Sequence, residues 1–69
     1  MEERDAMIVA QDGKCAICRC ELTDPHVDHA LNPKRVRGIL CHNCNVSLGL
    51  MKDNPTNLRA AADYLERNT

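Results

Sequence analysis

Aromatic residues are almost missing from this chain, which has no Trp, no Phe and one Tyr in 69 residues. That excludes a core built on large rings and leaves a thin aliphatic one. It also argues against a reader of single-stranded nucleic acid, which stacks bases on aromatic platforms. A long apolar run and a leader with a charged start and apolar middle are both missing, so we expect no membrane partner and a cytoplasmic location. A charge excess is missing too: nine Lys and Arg stand against ten Asp and Glu, a net charge of −1. Such a balance does not announce a nucleic-acid binder, but distribution matters more than the sum. Lys34, Arg35 and Arg37 fall within one short stretch, and a local basic loop can hold a phosphate even on a mildly acidic protein.

What the chain has is cysteine in a pattern. Cys15-Ala16-Ile17-Cys18 and Cys41-His42-Asn43-Cys44 are two Cys-x-x-Cys pairs enclosing His26-Val27-Asp28-His29. Paired thiolates at this spacing suit one tetrahedral Zn²⁺, which favours soft sulfur ligands in closed structural sites. The alternatives are a disulfide framework and a redox or iron site. The odd total of five cysteines and the metal-type spacing oppose the first. Cys20 is then the leftover thiol, a reduced bystander or a substitute for Cys18. Zinc also answers a size problem, because a chain of 69 residues buries only about 60% of its unfolded surface. A structural zinc contributes on the order of 10 kcal/mol of apparent folding free energy. One domain over residues 1–69, largely unfolded without metal, is the expectation.

In chain order, residues 2–11 predict a short helix with Ala6, Met7, Val9 and Ala10 as its apolar face, closed by Asp12-Gly13. The first knuckle follows, then a turn-like stretch over residues 20–25 in which Pro25 holds Asp24 extended. A strand begins at His26 and covers residues 26–29. Arg35 to Leu40 alternates as a second strand would, with Ala30-Leu31-Asn32-Pro33-Lys34 as the loop of a hairpin. Residues 41–51 predict a helix with Cys44, Leu48 and Met51 on one stripe, which Asn45 borders. Asn54 as N-cap and Pro55 at the first position open a last helix ending near Arg67, with Leu58, Ala61, Ala62 and Leu65 as its apolar face.

A knuckle, a hairpin and a helix bearing the second cysteine pair make a small α+β zinc domain: a ββα-metal hairpin plus helix with a treble-clef-like zinc site and flanking N- and C-terminal helices. The combination of Cys15-x-x-Cys18, His26-Val27-Asp28-His29, Arg35-Val36-Arg37-Gly38-Ile39-Leu40-Cys41 and Cys44-Asn45 resembles the phage recombination endonuclease VII family of His-Me finger (HNH) nucleases. Asp53-Asn54-Pro55 and Ala61-Ala62-Asp63-Tyr64-Leu65 are similar to that family's ending, and the likeness covers about residues 7–66. It implies zinc on Cys15, Cys18, Cys41 and Cys44, a catalytic Mg²⁺ (or Mn²⁺ in its place) on Asp28 and Asn45, and His29 as general base. It further implies DNA as partner, branched DNA and four-way junctions included, in a bacterial or phage-infected cell. Two departures stand out. Ala30 and Leu31 occupy positions where the family often repeats Asp-His, and the long helical extension with which larger members dimerise is missing.

The chemistry also stands on the residues themselves. Phosphodiester hydrolysis needs a base for water, charge neutralisation and help for the leaving oxygen. A neutral imidazole such as His29 takes a proton near neutral pH. Asp28 and Asn45 offer hard oxygens to Mg²⁺, which acts as Lewis acid and template. Lys34, Arg35, Arg37 and His26 are the candidate substrate contacts. Each has a plainer reading: Asp28 and His29 as residues bonded to backbone at the hairpin end, His26 as a strand residue, His42 as an exposed helix start, Asn45 as a cap, the basic run as a solvated loop. The rival function is therefore a non-catalytic zinc module that binds DNA or protein. A stable dimer needs about 800 Å² per partner, a large share of so small a surface. We expect a monomer, with at most weak dimerisation, whose last helix spends its apolar stripe on the domain's own core.

Overall fold

In the computed structural model, residues 3–31 and 34–68 are described. Five elements follow in chain order: α1 (Glu3–Ala10), β1 (His26–Leu31), β2 (Lys34–Leu40), α2 (His42–Leu50) and α3 (Pro55–Arg67). The expected α+β architecture is present: a two-stranded antiparallel sheet, three helices and a cluster of four cysteines. Among the described residues no helix is long and apolar enough to cross a membrane.

Helix α1 ends as Asp12-Gly13 required. Asp12 and Gly13 have φ of 57° and 69°, and their N–H groups donate to the carbonyls of Val9 and Ile8 at 3.0 and 2.8 Å. This double closure needs a left-handed residue, which Asp tolerates better than most side chains. The buried side of α1 differs from expectation. Met7 and Ile8 are half-buried, whereas Ala6, Val9 and Ala10 are exposed. Eight residues are barely two turns, too few for periodicity to fix the phase of a face. The stretch after α1 is also more ordered than a plain turn. Lys14 and Glu21 form an antiparallel bridge across the first knuckle, closed by Cys15 N–H to the Cys20 carbonyl at 2.8 Å.

The hairpin runs further than expected. His26 faces Leu40, Val27 faces Ile39 and Asp28 faces Gly38, and the ladder continues through Ala30 with Arg35 to Leu31 with Lys34. Ala30, Leu31 and Lys34 are thus strand residues, because none of them carries a turn signal to outweigh continued pairing. The Asn32-Pro33 part of the expected loop, like the side chain of Leu31, lies outside the described residues. A bulge separates the two halves: His29 faces Val36, so Arg37 has no residue opposite.

Strand β2 feeds the core. Gly38, Ile39 and Leu40 are buried, and with Cys15 they hold the fully enclosed part of the molecule, Ile39 and Cys15 having no exposed surface. Helix α2 packs on both strands, with Cys44, Asn45, Leu48 and Met51 half-buried as the stripe predicts. It starts one residue later than expected, because Cys41 is its N-cap. It ends at Lys52 and Asp53, whose N–H groups bond the Gly49 and Leu48 carbonyls at 3.0 and 2.8 Å.

Helix α3 begins as its sequence dictates, the Asn54 side chain accepting from the Thr56 and Asn57 N–H groups at 3.0 and 3.2 Å. Its apolar stripe does not cover the core, however. Only Leu58 is half-buried, Ala61 and Ala62 are exposed, and Leu65 is 61% exposed. Lys52 and Asp53, with φ of 58° and 53°, turn the chain between α2 and α3. The stand-off explains a radius of gyration of 13.3 Å, against about 11 Å for a compact chain of this length. It also explains an accessible surface of 5307 Å² where about 4,300 Å² is usual for this mass.

Candidate metal centre and active site

The ligand atoms of Cys15, Cys18, Cys41 and Cys44 lie within 4.8 Å of one another. Zn–S bonds of about 2.3 Å place tetrahedral sulfurs about 3.8 Å apart, and Cys18 Sγ and Cys41 Sγ are 3.8 Å apart. The donor set therefore fits a structural zinc in chemistry and in size. Both knuckles aim backbone dipoles at sulfur: the Ile17 N–H donates to Cys15 Sγ and the Cys44 N–H to Cys41 Sγ, each at 3.4 Å. Cys41 thus caps α2 with its sulfur, at the helix end that favours negative charge.

Electrostatics sort the thiols. Burial opposes ionisation of Cys15, but backbone N–H groups of Cys41, Cys18 and Ile17 outweigh it and leave this thiol lowered to about 6. Cys18 is lowered chiefly by a backbone hydrogen bond from Cys20. The Cys20 thiol is pushed up to about 12, first by its hydrogen bond to Cys18. Cys44 is also pushed up to about 12, by burial and then by Cys41, Cys15 and Cys18. Crowded thiolates repel, and a divalent cation among them reverses that sign.

On the hairpin, Asp28 and His29 flank the bulge. Asp28 is half-buried and His29 exposed. Asn45 is half-buried in the first turn of α2, where its N–H donates to the Cys41 carbonyl at 3.0 Å. Among the described residues no hydrogen bond joins Asn45 to Asp28 or His29. Lys34 and Arg35 are exposed on β2. Arg37 is occupied: its Nε and NH2 groups donate to the two Asp28 carboxylate oxygens at 2.7 and 3.0 Å, and Asp53 lies 3.6 Å away. The Asp28 carboxylate raises the Arg37 guanidinium above its ordinary value. The bulge makes this pairing possible, because an extra residue re-aims a side chain that regular alternation would send to the other face. His26, at the zinc end of β1, has its Nε2 3.1 Å from Asp24 Oδ2.

Two residues that organise the site were not singled out from the sequence. Gln11 donates from Nε2 to the carbonyls of Lys14 and Ile39 at 2.7 and 2.9 Å, and accepts the Ile39 N–H at 3.1 Å. Its amide stands in for a neighbouring strand along the outer edge of β2, and no spacing rule marks it. Asp24 had a usable signal, as the residue two before His26 across Pro25.

A family model described as recombination endonuclease VII matches residues 1–67.

Proposed function

This chain belongs to the recombination endonuclease VII family, a family of DNA nucleases, and from that premise we propose that it is a Mg²⁺-dependent DNA endonuclease of the HNH type with His29 as general base. The observation that supports this reading is the disposition of Asp28 and His29 beside the bulge, one half-buried and one exposed, on a hairpin against which α2 packs. An exposed imidazole can meet a phosphate and its attacking water, whereas a half-buried carboxylate suits a cation held at the protein surface. Asp28 and Asn45 would hold the Mg²⁺, or Mn²⁺ in its place, which supplies Lewis acidity toward the phosphate and the leaving oxygen. His29 takes the proton of water, and Lys34 and Arg35 neutralise neighbouring phosphates. Arg37, paired to Asp28 and 3.6 Å from Asp53, would be available to a DNA phosphate where Asp28 held the cation.

One observation favours the rival reading of a zinc module that binds without cutting. The two-pronged bond from Arg37 satisfies both Asp28 oxygens, as a purely structural pair would. Incubation with supercoiled plasmid and with a four-way junction, with and without Mg²⁺, separates the two. We expect Mg²⁺-dependent open circles that accumulate before linear product, since one domain carries one base. We expect His29→Ala to lower cleavage by a factor of roughly 10² while binding persists. Asp28→Ala should raise the Mg²⁺ requirement. Binding without cleavage in every metal condition, or full activity in both variants, refutes the nuclease assignment of these residues.

A further inference from the structure

On the opposite flank of Cys41 from its sulfur partners, a second group of metal-type donors meets. Asp24 lies in a bend just before β1, and across Pro25 its Oδ2 comes within 3.1 Å of His26 Nε2. His26 starts β1 opposite Leu40, and two residues beyond Leu40 the chain reaches His42 at the start of α2. Pairing therefore sets the two imidazoles side by side, with ring centroids 5.3 Å apart at 50°. The donor atoms of Asp24, His26 and His42 all lie within 4.8 Å of one another.

We propose that Asp24, His26 and His42 form a second metal site, for a borderline transition cation of the Zn²⁺, Co²⁺ or Ni²⁺ class. Metal–nitrogen and metal–oxygen bonds of about 2.0–2.1 Å put neighbouring ligand atoms about 2.9–3.4 Å apart. His26 Nε2 and Asp24 Oδ2 are already at 3.1 Å. His42 is exposed, and closing a gap of at most 4.8 Å takes a side-chain rotation without backbone movement. Two imidazoles and one carboxylate select against Mg²⁺, which prefers oxygen and keeps its water. Three protein ligands also leave positions open, unlike the four closed thiolates. Asp24 and His42 also line a cavity of about 210 Å³, together with Cys20, Glu21, Thr23, Cys41 and Asn43. The assignment uses neither Asp28 nor His29, on which the nuclease reading rests, and takes His26 as a metal ligand in place of a substrate contact.

The test is a Co²⁺ titration of the full metal-free chain. The first equivalent should give intense sulfur-to-cobalt charge-transfer bands. A second should add only weak ligand-field bands, as expected of nitrogen and oxygen donors. In His42→Ala and in Asp24→Asn the cobalt bound should fall by one equivalent with the charge-transfer bands intact, whether or not a further equivalent occupies the Asp28 site. If a variant does not fold, the wild-type protein still decides the matter. Zn²⁺ added to the singly loaded chain should shift the imidazole resonances of His26 and His42 and leave those of His29 in place. A single equivalent in the wild type, no loss of an equivalent in either variant, or a shift at His29 in place of His26 and His42 overturns the proposal.

Discussion

Gln11 carries a load out of proportion to its place in a short connection, and Gln11→Ala measures it. The substitution takes the acceptor from the N–H of Ile39, a residue with no exposed surface. It takes one donor from the Ile39 carbonyl, which keeps the Ala16 N–H at 3.2 Å. The Lys14 carbonyl at the exposed end of the contact is taken over by water. An orphaned buried donor costs about 2 kcal/mol and the thinned carbonyl about 1 kcal/mol. Release of the glutamine side chain returns about 1.5 kcal/mol of rotamer freedom, for a net loss of about 1.5 kcal/mol. For a domain of this size that lowers Tm by about 6–12 °C. Because Gln11 ties the first knuckle to the strand that enters Cys41, the same loss should appear as roughly tenfold weaker apparent zinc binding. Urea melts at saturating zinc and competition with a chromophoric chelator read the two quantities separately. Gln11→Glu keeps the acceptor but sets a carboxylate against two carbonyls. Its deficit should grow as pH rises through about 4.3, the ordinary glutamate value, whereas that of Gln11→Ala stays flat. An alanine variant within about 0.5 kcal/mol of wild type, the range of ordinary surface changes, would show that the edge of β2 needs no such cover.

Complete zinc removal should abolish the cooperative melt and most of the circular dichroism, because a contribution on the order of 10 kcal/mol matches the whole stability of a typical domain; a metal-free chain that still melts cooperatively contradicts this. Arg37→Ala frees the Asp28 carboxylate, and since an ion pair this exposed is weak it should lower the Mg²⁺ concentration for half-maximal cleavage by at most about fivefold, while raising the salt sensitivity of DNA binding would count against a phosphate role for Arg37. Leu65→Ser, on the exposed side of α3, should change stability by less than about 0.5 kcal/mol and leave the sedimentation of a monomer unaltered; a loss above about 1.5 kcal/mol would mean that the stripe is covered in solution.

The zinc centre was legible because its chemistry is local. Each Cys-x-x-Cys pair sets its own turn, and only the meeting of the two pairs needs the fold. The caps were legible for the same reason: Asp12-Gly13, Asn54-Pro55 and Lys52-Asp53 act on their own neighbours. What the sequence concealed depends on register. Nothing in Arg35-Val36-Arg37-Gly38 marks Arg37 as the bulged residue, so its bond to Asp28 was hidden and it read as a free phosphate contact. The apolar face of α3 misled in another way. Periodicity reports which side of a helix is apolar, but a chain with so few large side chains has too little core for every such side to reach.

The zinc knuckles and the hairpin act as one unit, and the bulge shows why. Ile39 and Leu40 are fixed by burial and lead straight into Cys41, so the zinc end of β2 cannot slide. A one-residue slip there would turn Ile39 outward and draw Cys41 away from Cys18. Variation in the ladder must therefore be absorbed further along, and it is, between the pair Asp28–Gly38 and the pair His29–Val36. On the cysteine side of that point, Val27 pairs with Ile39 and Asp28 with Gly38. Beyond it the strands are free to set His29, Lys34 and Arg35 by their own twist. Asp28 stands at the junction, held by Arg37 from the bulge itself. A cation site built on Asp28 would thus be anchored through the backbone to the cysteine cluster, while His29, Lys34 and Arg35 lie beyond the bulge.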